Sequence, residues 1–266
     1  MSVDGPRTQR PGPDGGQAPA LQLTGLLKRF GETTAVDHVD LTVPGGSFFG
    51  LVGPNGAGKT TTLSMAVGLL RPDAGRAQVF GVDVWADPVA AKQLLGVLPD
   101  GLALPERLTG RELLTYLGQL RGLDRATVAA RASELLEVLE LTEAERTLVT
   151  DYSAGMRKKA TLATALLHTP RLLVLDEPFE AIDPVSAATI RTILRRFVDA
   201  GGSVVLSSHV MALVEQLCDH VGVIAKGHLV AAGTLAEVRG DGSLDEAFVR
   251  LVGARVTTEG LSWLTS

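Results

Sequence analysis

The chain has 266 residues, 45% of them hydrophobic and 21% charged, enough for one large domain or for a domain carrying an inserted subdomain. Its formal net charge of −5 lacks the basic footprint that nucleic-acid binding leaves, so no nucleic-acid partner is expected. One cysteine, Cys218, leaves no pair for an internal disulfide; no run reaches the roughly 18 apolar residues of a membrane-spanning helix, and the N-terminus lacks the apolar core of a secretory signal. A cytoplasmic chain with no direct membrane insertion is the expectation.

Residues 1–20 are rich in Pro, Gly and polar types and predict a disordered tail. Beyond them Val39, Leu41 and Val43 alternate with Asp40 and Thr42, the period of a half-buried strand, and Pro44, Gly45 and Gly46 make a turn. Phe48–Val52 is a continuous apolar run, as in a strand buried on both faces. A glycine-rich loop follows, then a helical pattern over 59–68 with Pro72 just past its end, and a further strand is expected at 77–84. From about 102 to 167 the period becomes helical, with Leu113, Leu114, Leu117 and Leu120, then Leu135, Leu136, Val138, Leu139 and Leu141. Strands resume at 172–175, 204–207 and 221–225 with helical patterns between them, the rhythm of a parallel sheet. Residues 225–230, centred on Lys226, Gly227 and His228, predict a hairpin turn, and Leu244–Val252 a short closing helix. The expected organisation is an α/β domain over 21–252 with a helical block at about 102–167 inserted in it, and a C-terminal tail at 253–266.

Gly53, Pro54, Asn55, Gly56, Ala57, Gly58, Lys59 and Thr60, with Thr61 following, fit the phosphate-loop pattern of two glycines followed by Lys and Thr. Glycines let backbone N–H groups turn inward around phosphates, and the helix opening at Lys59 adds its positive end. Lys59 would place an ammonium on the β- and γ-phosphates, and the Thr60 hydroxyl would ligate Mg²⁺. Strand 172–175 then ends in Asp176 and Glu177. In phosphate-loop ATPases the first acid at such a strand end holds Mg²⁺, and Glu177 is placed to orient or deprotonate the attacking water. ATP and Mg²⁺ are the expected cofactors.

With these motifs in place, the chain resembles the ATP-binding subunit of ATP-binding cassette transporters over about 21–252. The diagnostic segment is Tyr152-Ser153-Ala154-Gly155-Met156 ahead of a helix expected near Arg157, similar to the family signature Leu-Ser-Gly-Gly-Gln. Ser153 and Gly155 match it; Tyr152, Ala154 and Met156 depart. The resemblance implies that Ser153 and Gly155 meet the γ-phosphate held by another subunit, that Asp183 lies on the loop crossing the subunit boundary, and that His209 donates to the γ-phosphate. It aligns Phe30 with the aromatic that stacks on adenine, a core aromatic being the alternative. It aligns Asp100 with the position of a Gln near Mg²⁺, and 102–108 with a contact for a membrane partner. Arg157, Lys158 and Lys159 read as a solvated helix face.

The resemblance implies a phosphate-loop ABC-ATPase fold: a mostly parallel core sheet, an N-terminal antiparallel β subdomain and an inserted helical subdomain. It implies an ATPase working as a homodimer or heterodimer of ATPase subunits, held at the inner face of the cell membrane by a separate transmembrane permease, and driving export. A soluble ABC ATPase of protein or iron–sulfur assembly, without a membrane partner, is the alternative.

Overall fold

The computed structural model describes residues 18–101 and 104–253. It begins with β1 (Leu21–Phe30), β2 (Thr33–Val43) and β3 (Phe48–Val52), followed by α1 (Lys59–Ala66). In β2 the alternation at 39–43 slips by one residue at His38 (φ 49°), so that Val36 and Val39 both face inward. The slip is a bulge, and β1 pairs across it, Leu26 with Val39 and Lys28 with Val36. β1 buries Leu21, Leu23 and Leu26, but its own alternation breaks at Gly25 (φ 58°), which hides the strand in the sequence.

The single strand expected at 77–84 is two. β4 (Ala74–Val79) and β5 (Val82–Asp83) turn on Phe80 and Gly81, with φ of 47° and 83°, the positive pair that a two-residue hairpin turn requires. These strands form an antiparallel sheet in the order β2-β1-β4-β5. Ala20, assigned to the tail, is in fact buried. Its N–H donates to the Val43 carbonyl at 2.9 Å and its carbonyl accepts from Phe80 N–H at 3.2 Å, so ordered chain starts before Leu21. Residues 1–17 and 254–266 of the two expected tails lie outside the described residues.

α2 (Pro88–Leu94) leads into β6 (Leu95–Leu98), a strand absent from the sequence reading. The helices α3 (Gly110–Leu120), α4 (Arg125–Val138) and α5 (Ala154–Leu166) come next. Then follow β7 (Leu172–Leu175), α6 (Pro184–Asp199), β8 (Ser203–Ser208), α7 (Met211–Leu217), β9 (His220–Ala225), β10 (His228–Thr234), α8 (Leu235–Arg239) and α9 (Leu244–Val252). The second sheet has the order β10-β9-β3-β8-β7-β6, parallel throughout except for the β9–β10 hairpin. Its inner strands are apolar on both faces because both faces are covered. Phe48, Val52, Leu173, Leu175, Val204 and Leu206 join the core under the helices. Phe49, Leu51, Leu172, Val174 and Val205 join the core under the antiparallel sheet.

In the helical block Leu113, Leu114 and Leu136 are buried as the period predicts, whereas Leu120 and Val138 are exposed. Gly118 is what lets α3 approach α4, since a Cβ there would lie 2.7 Å from Val128 Cγ2. The expected solvated face at Arg157, Lys158 and Lys159 is only partly solvated. Lys159 is buried and pairs with Glu140 at 3.0 Å, Lys158 donates to the Glu180 carbonyl at 3.1 Å, and Arg157 Nε donates to the Tyr152 carbonyl at 3.1 Å. Of the segment 102–108 expected to contact a partner, Leu102 and Ala103 lie outside the described residues, and Leu104 and Leu108 pack against the core.

His168, between α5 and β7, places Nε2 at 2.9 Å from the Leu95 carbonyl and leaves Nδ1 buried without a partner. Burial, helped by Arg121 and Arg131, pushes its pKa from 6.5 down to about 4. The unfolded chain therefore binds a proton between pH 6.5 and pH 4 that the folded chain refuses, so stability falls as pH drops through that window. His168→Gln, which keeps a donor for Leu95, is expected to flatten this slope in denaturant titrations at pH 7, 5.5 and 4.5. An unchanged slope would remove His168 as its source.

Candidate functional site

β3 ends at Val52 and the chain turns through 53–58 into α1. Gly58, the N-cap, has φ 105°, and no side chain caps the helix, so the first-turn N–H groups stay open to a ligand. Helices α3, α5, α6 and α9, by contrast, are capped by Thr109, Ser153, Asp183 and Ser243. The loop is wedged in place. A Cβ on Gly53 would lie 2.2 Å from the Ile224 carbonyl oxygen, and one on Gly58 would lie 2.5 Å from that of Ala35. The β9–β10 turn braces it further: Gly227 N–H donates to Ala57 O at 2.9 Å, and Asp37 N–H donates to Gly227 O at 2.8 Å.

Lys59 is only 6% exposed, and its ammonium donates to Gly53 O at 2.7 Å and Pro54 O at 3.3 Å. Its Nζ lies 3.7 Å from Glu177 Oε1, and His209 Nδ1 lies 3.1 Å from the same oxygen. Asp176, 3% exposed, sits behind Glu177 and accepts from the Ser207 hydroxyl. Glu177 itself has φ 44°, a left-handed conformation rare for a non-glycine residue and frequent where function imposes strain. Three loops from three strand ends thus converge on one carboxylate.

The cleft around this point measures about 400 Å³ and is lined by Ala35, residues 54–61, Asp100, Glu177, Glu180 and His209. Phe30 is not part of its wall. It is 51% exposed at the end of β1, which also excludes the core-aromatic alternative. Ala35 and Glu180 line the cleft without having been singled out in the sequence. Neither carries a local motif, and both arrive through tertiary placement.

Ser153, Gly155 and Asp183 lie outside this cleft. The signature helix starts at Ala154 rather than near Arg157, with Ser153 as its N-cap accepting from Met156 N–H at 3.2 Å. Tyr152, a departure from the family pattern, is buried and donates its hydroxyl to Ala144 O at 2.8 Å, so it anchors the segment. Asp183 caps α6, accepting from Val185 and Ser186 N–H groups at 3.0 and 2.9 Å. Hydrogen bonding from Ser186 holds its carboxyl below the usual range.

Residues 36–180 match the family model described as ABC transporter. The chain belongs to that family. It is similar to the daunorubicin/doxorubicin resistance ATP-binding protein DrrA of Streptomyces peucetius, 41% identical over 83% of this chain and 67% of the relative. It is also similar to the Nod factor export ATP-binding protein I of Ralstonia nicotianae, 40% identical over 85% of this chain and 70% of that one. A solved ATP-binding subunit of an ABC transporter superposes with a TM-score of 0.82 at 29% identity, covering 87% of this chain and 99% of that one. The phosphate-loop ABC-ATPase fold is thereby shown, and with it an ATP-binding chain of the ATPase class.

The wedge on Gly58 makes a specific prediction for this cassette. Gly58→Ala brings both a clash with Ala35 O and a positive φ, whereas Gly201→Ala brings only a positive φ (94°) into open space. Each is expected to lower stability, by about 1–3 kcal/mol from backbone strain. Only the Gly58 variant should also lose affinity for a fluorescent ATP analogue in equilibrium titration.

Proposed function

We propose that this cassette binds Mg²⁺-ATP at residues 53–61, hydrolyses it with Glu177 directing the water, and drives export through a separate transmembrane permease. The observation that carries the reading is the meeting of Lys59, His209 and Glu177 at the mouth of an uncapped helix. The open N–H groups of α1 and the Lys59 ammonium would hold the β- and γ-phosphates. Glu177 would accept the proton of the attacking water, with His209 fixing its carboxylate from one side and donating to the γ-phosphate when the ligand is present.

The donors suit Mg²⁺. Thr60 and Asp100 line the cleft and Asp176 is buried beside Glu177, and all three offer the hard oxygens that Mg²⁺ prefers. Thr60 and Asp176 would hold the ion, with Asp100 at the rim. Bound Mg²⁺ would neutralise charge developing on the phosphate oxygens.

Ser153, Gly155 and Asp183 fall outside the cleft of their own chain. This favours a head-to-tail pair, of two copies or of this chain and a close relative, in which they close the other subunit's site. Phe30, exposed at the end of β1, remains available to stack on adenine. The relatives named for drug resistance and Nod factor export support export. Among the described residues no helix is long and apolar enough to cross a membrane, which fits a peripheral subunit held at the inner face by its permease.

Glu177→Gln tests the central role. It keeps the size and a polar end of the side chain but removes the base, and turnover should fall by about 10²–10⁴. ATP affinity should persist, and the variant should collect as a dimer on size exclusion with Mg²⁺-ATP. Wild-type turnover would exclude Glu177, and a strictly monomeric ATP-bound variant would exclude the shared site.

A further inference from the structure

We infer that Ser207 is a positioning residue for hydrolysis, joining the buried Asp176 carboxylate to the backbone of Glu177 through one hydroxyl. A serine hydroxyl carries one proton and two acceptor sites. Here the proton goes to Asp176 Oδ1, and an acceptor site takes the Glu177 N–H at 2.9 Å. Ser207 is fully buried in the middle of the core sheet, so no water competes for these bonds.

The arrangement has two consequences. Asp176 is almost fully withdrawn from solvent, and its carboxylate needs a donor to be stabilised and fixed in orientation there. Glu177 occupies a left-handed backbone conformation, which decides where its side chain leaves the chain, and the Ser207 acceptor tethers that residue by its N–H. Two residues further along, His209 touches the Glu177 side chain. The end of β8 therefore grips Glu177 at two points, backbone and carboxylate, while orienting its neighbour. The other β8 serines do neither: Ser203 accepts from Gly46 N–H at 2.9 Å, and Ser208 accepts from Val210 N–H at 3.0 Å.

This inference rests on the Mg²⁺-ATP reading of the same cleft, and the experiment separates the two. Affinity for a fluorescent ATP analogue is titrated in EDTA and in Mg²⁺, alongside steady-state turnover, for the full chain and its variants. Ser207→Ala should keep its affinity in EDTA, lose most of the gain that Mg²⁺ confers, and turn over about tenfold or more slowly, as expected when hydrogen bonds to a charged group are removed. Ser207→Thr, which retains the hydroxyl, should restore both. Should the Ala variant fail to fold, Ser207→Cys, close in size but a weak donor, carries the same expectation. Wild-type turnover and Mg²⁺ response in the Ala or Cys variant would overturn the role, as would a Thr variant as impaired as Ala. A wild-type chain without nucleotide affinity in either condition would instead sink the cleft reading itself.

Discussion

The level register of four parallel strands is the constraint on which the rest depends. Val52 of β3 lies opposite Ser208 of β8, Leu206 of β8 opposite Leu175 of β7, and Leu98 of β6 opposite Leu175. The residues that leave those strand ends are therefore neighbours: the phosphate loop, Ser207 with His209, the acidic pair, and the segment carrying Asp100. Side chains alternate faces along a strand, so a slip of one residue in β7 would move one acid into the other's place and leave Leu175 or Pro178 where the second acid should be. The continuous apolar runs of these strands, split between two cores, hold that register.

The antiparallel sheet and the β9–β10 hairpin act on the same loop from the other side. Ala35 O and Ile224 O approach so closely that only glycine fits at positions 58 and 53, and Gly227 ties the loop to β2 through Asp37. A loop braced in this way is held in shape before any ligand arrives, which lowers the ordering required on binding. The start of α1 belongs to the same design, because without a capping side chain its first-turn N–H groups have no side-chain partner.

What was legible in the sequence was what is local. The phosphate loop, the acid pair after β7 and the apolar strands announce themselves through spacing, because neighbours in sequence are neighbours in space there. The break at Gly25 hides β1, and the β4–β5 hairpin resembles one strand in sequence because Phe80 adopts a positive φ without a residue type that signals it. Ala35 and Glu180 reach the cleft only through the packing of one element on another. The cluster Arg157, Lys158 and Lys159 looks solvated in a sequence, yet each cation finds a carbonyl or carboxylate that only the folded chain brings near. Tyr152 likewise departs from the family pattern for a reason visible only in three dimensions, its bond to Ala144 O.

The central claim is that the Lys59 ammonium, now on Gly53 O and near Glu177, is the group that grips a triphosphate inside 53–60. A crystal structure with Mg²⁺ and a non-hydrolysable ATP analogue tests it most directly. The account predicts β- and γ-phosphates inside the loop, with Lys59 Nζ moved onto their oxygens and Glu177 facing the γ-phosphate. A nucleotide seated elsewhere, or one bound in the loop with Lys59 still on the Gly53 carbonyl, would contradict it.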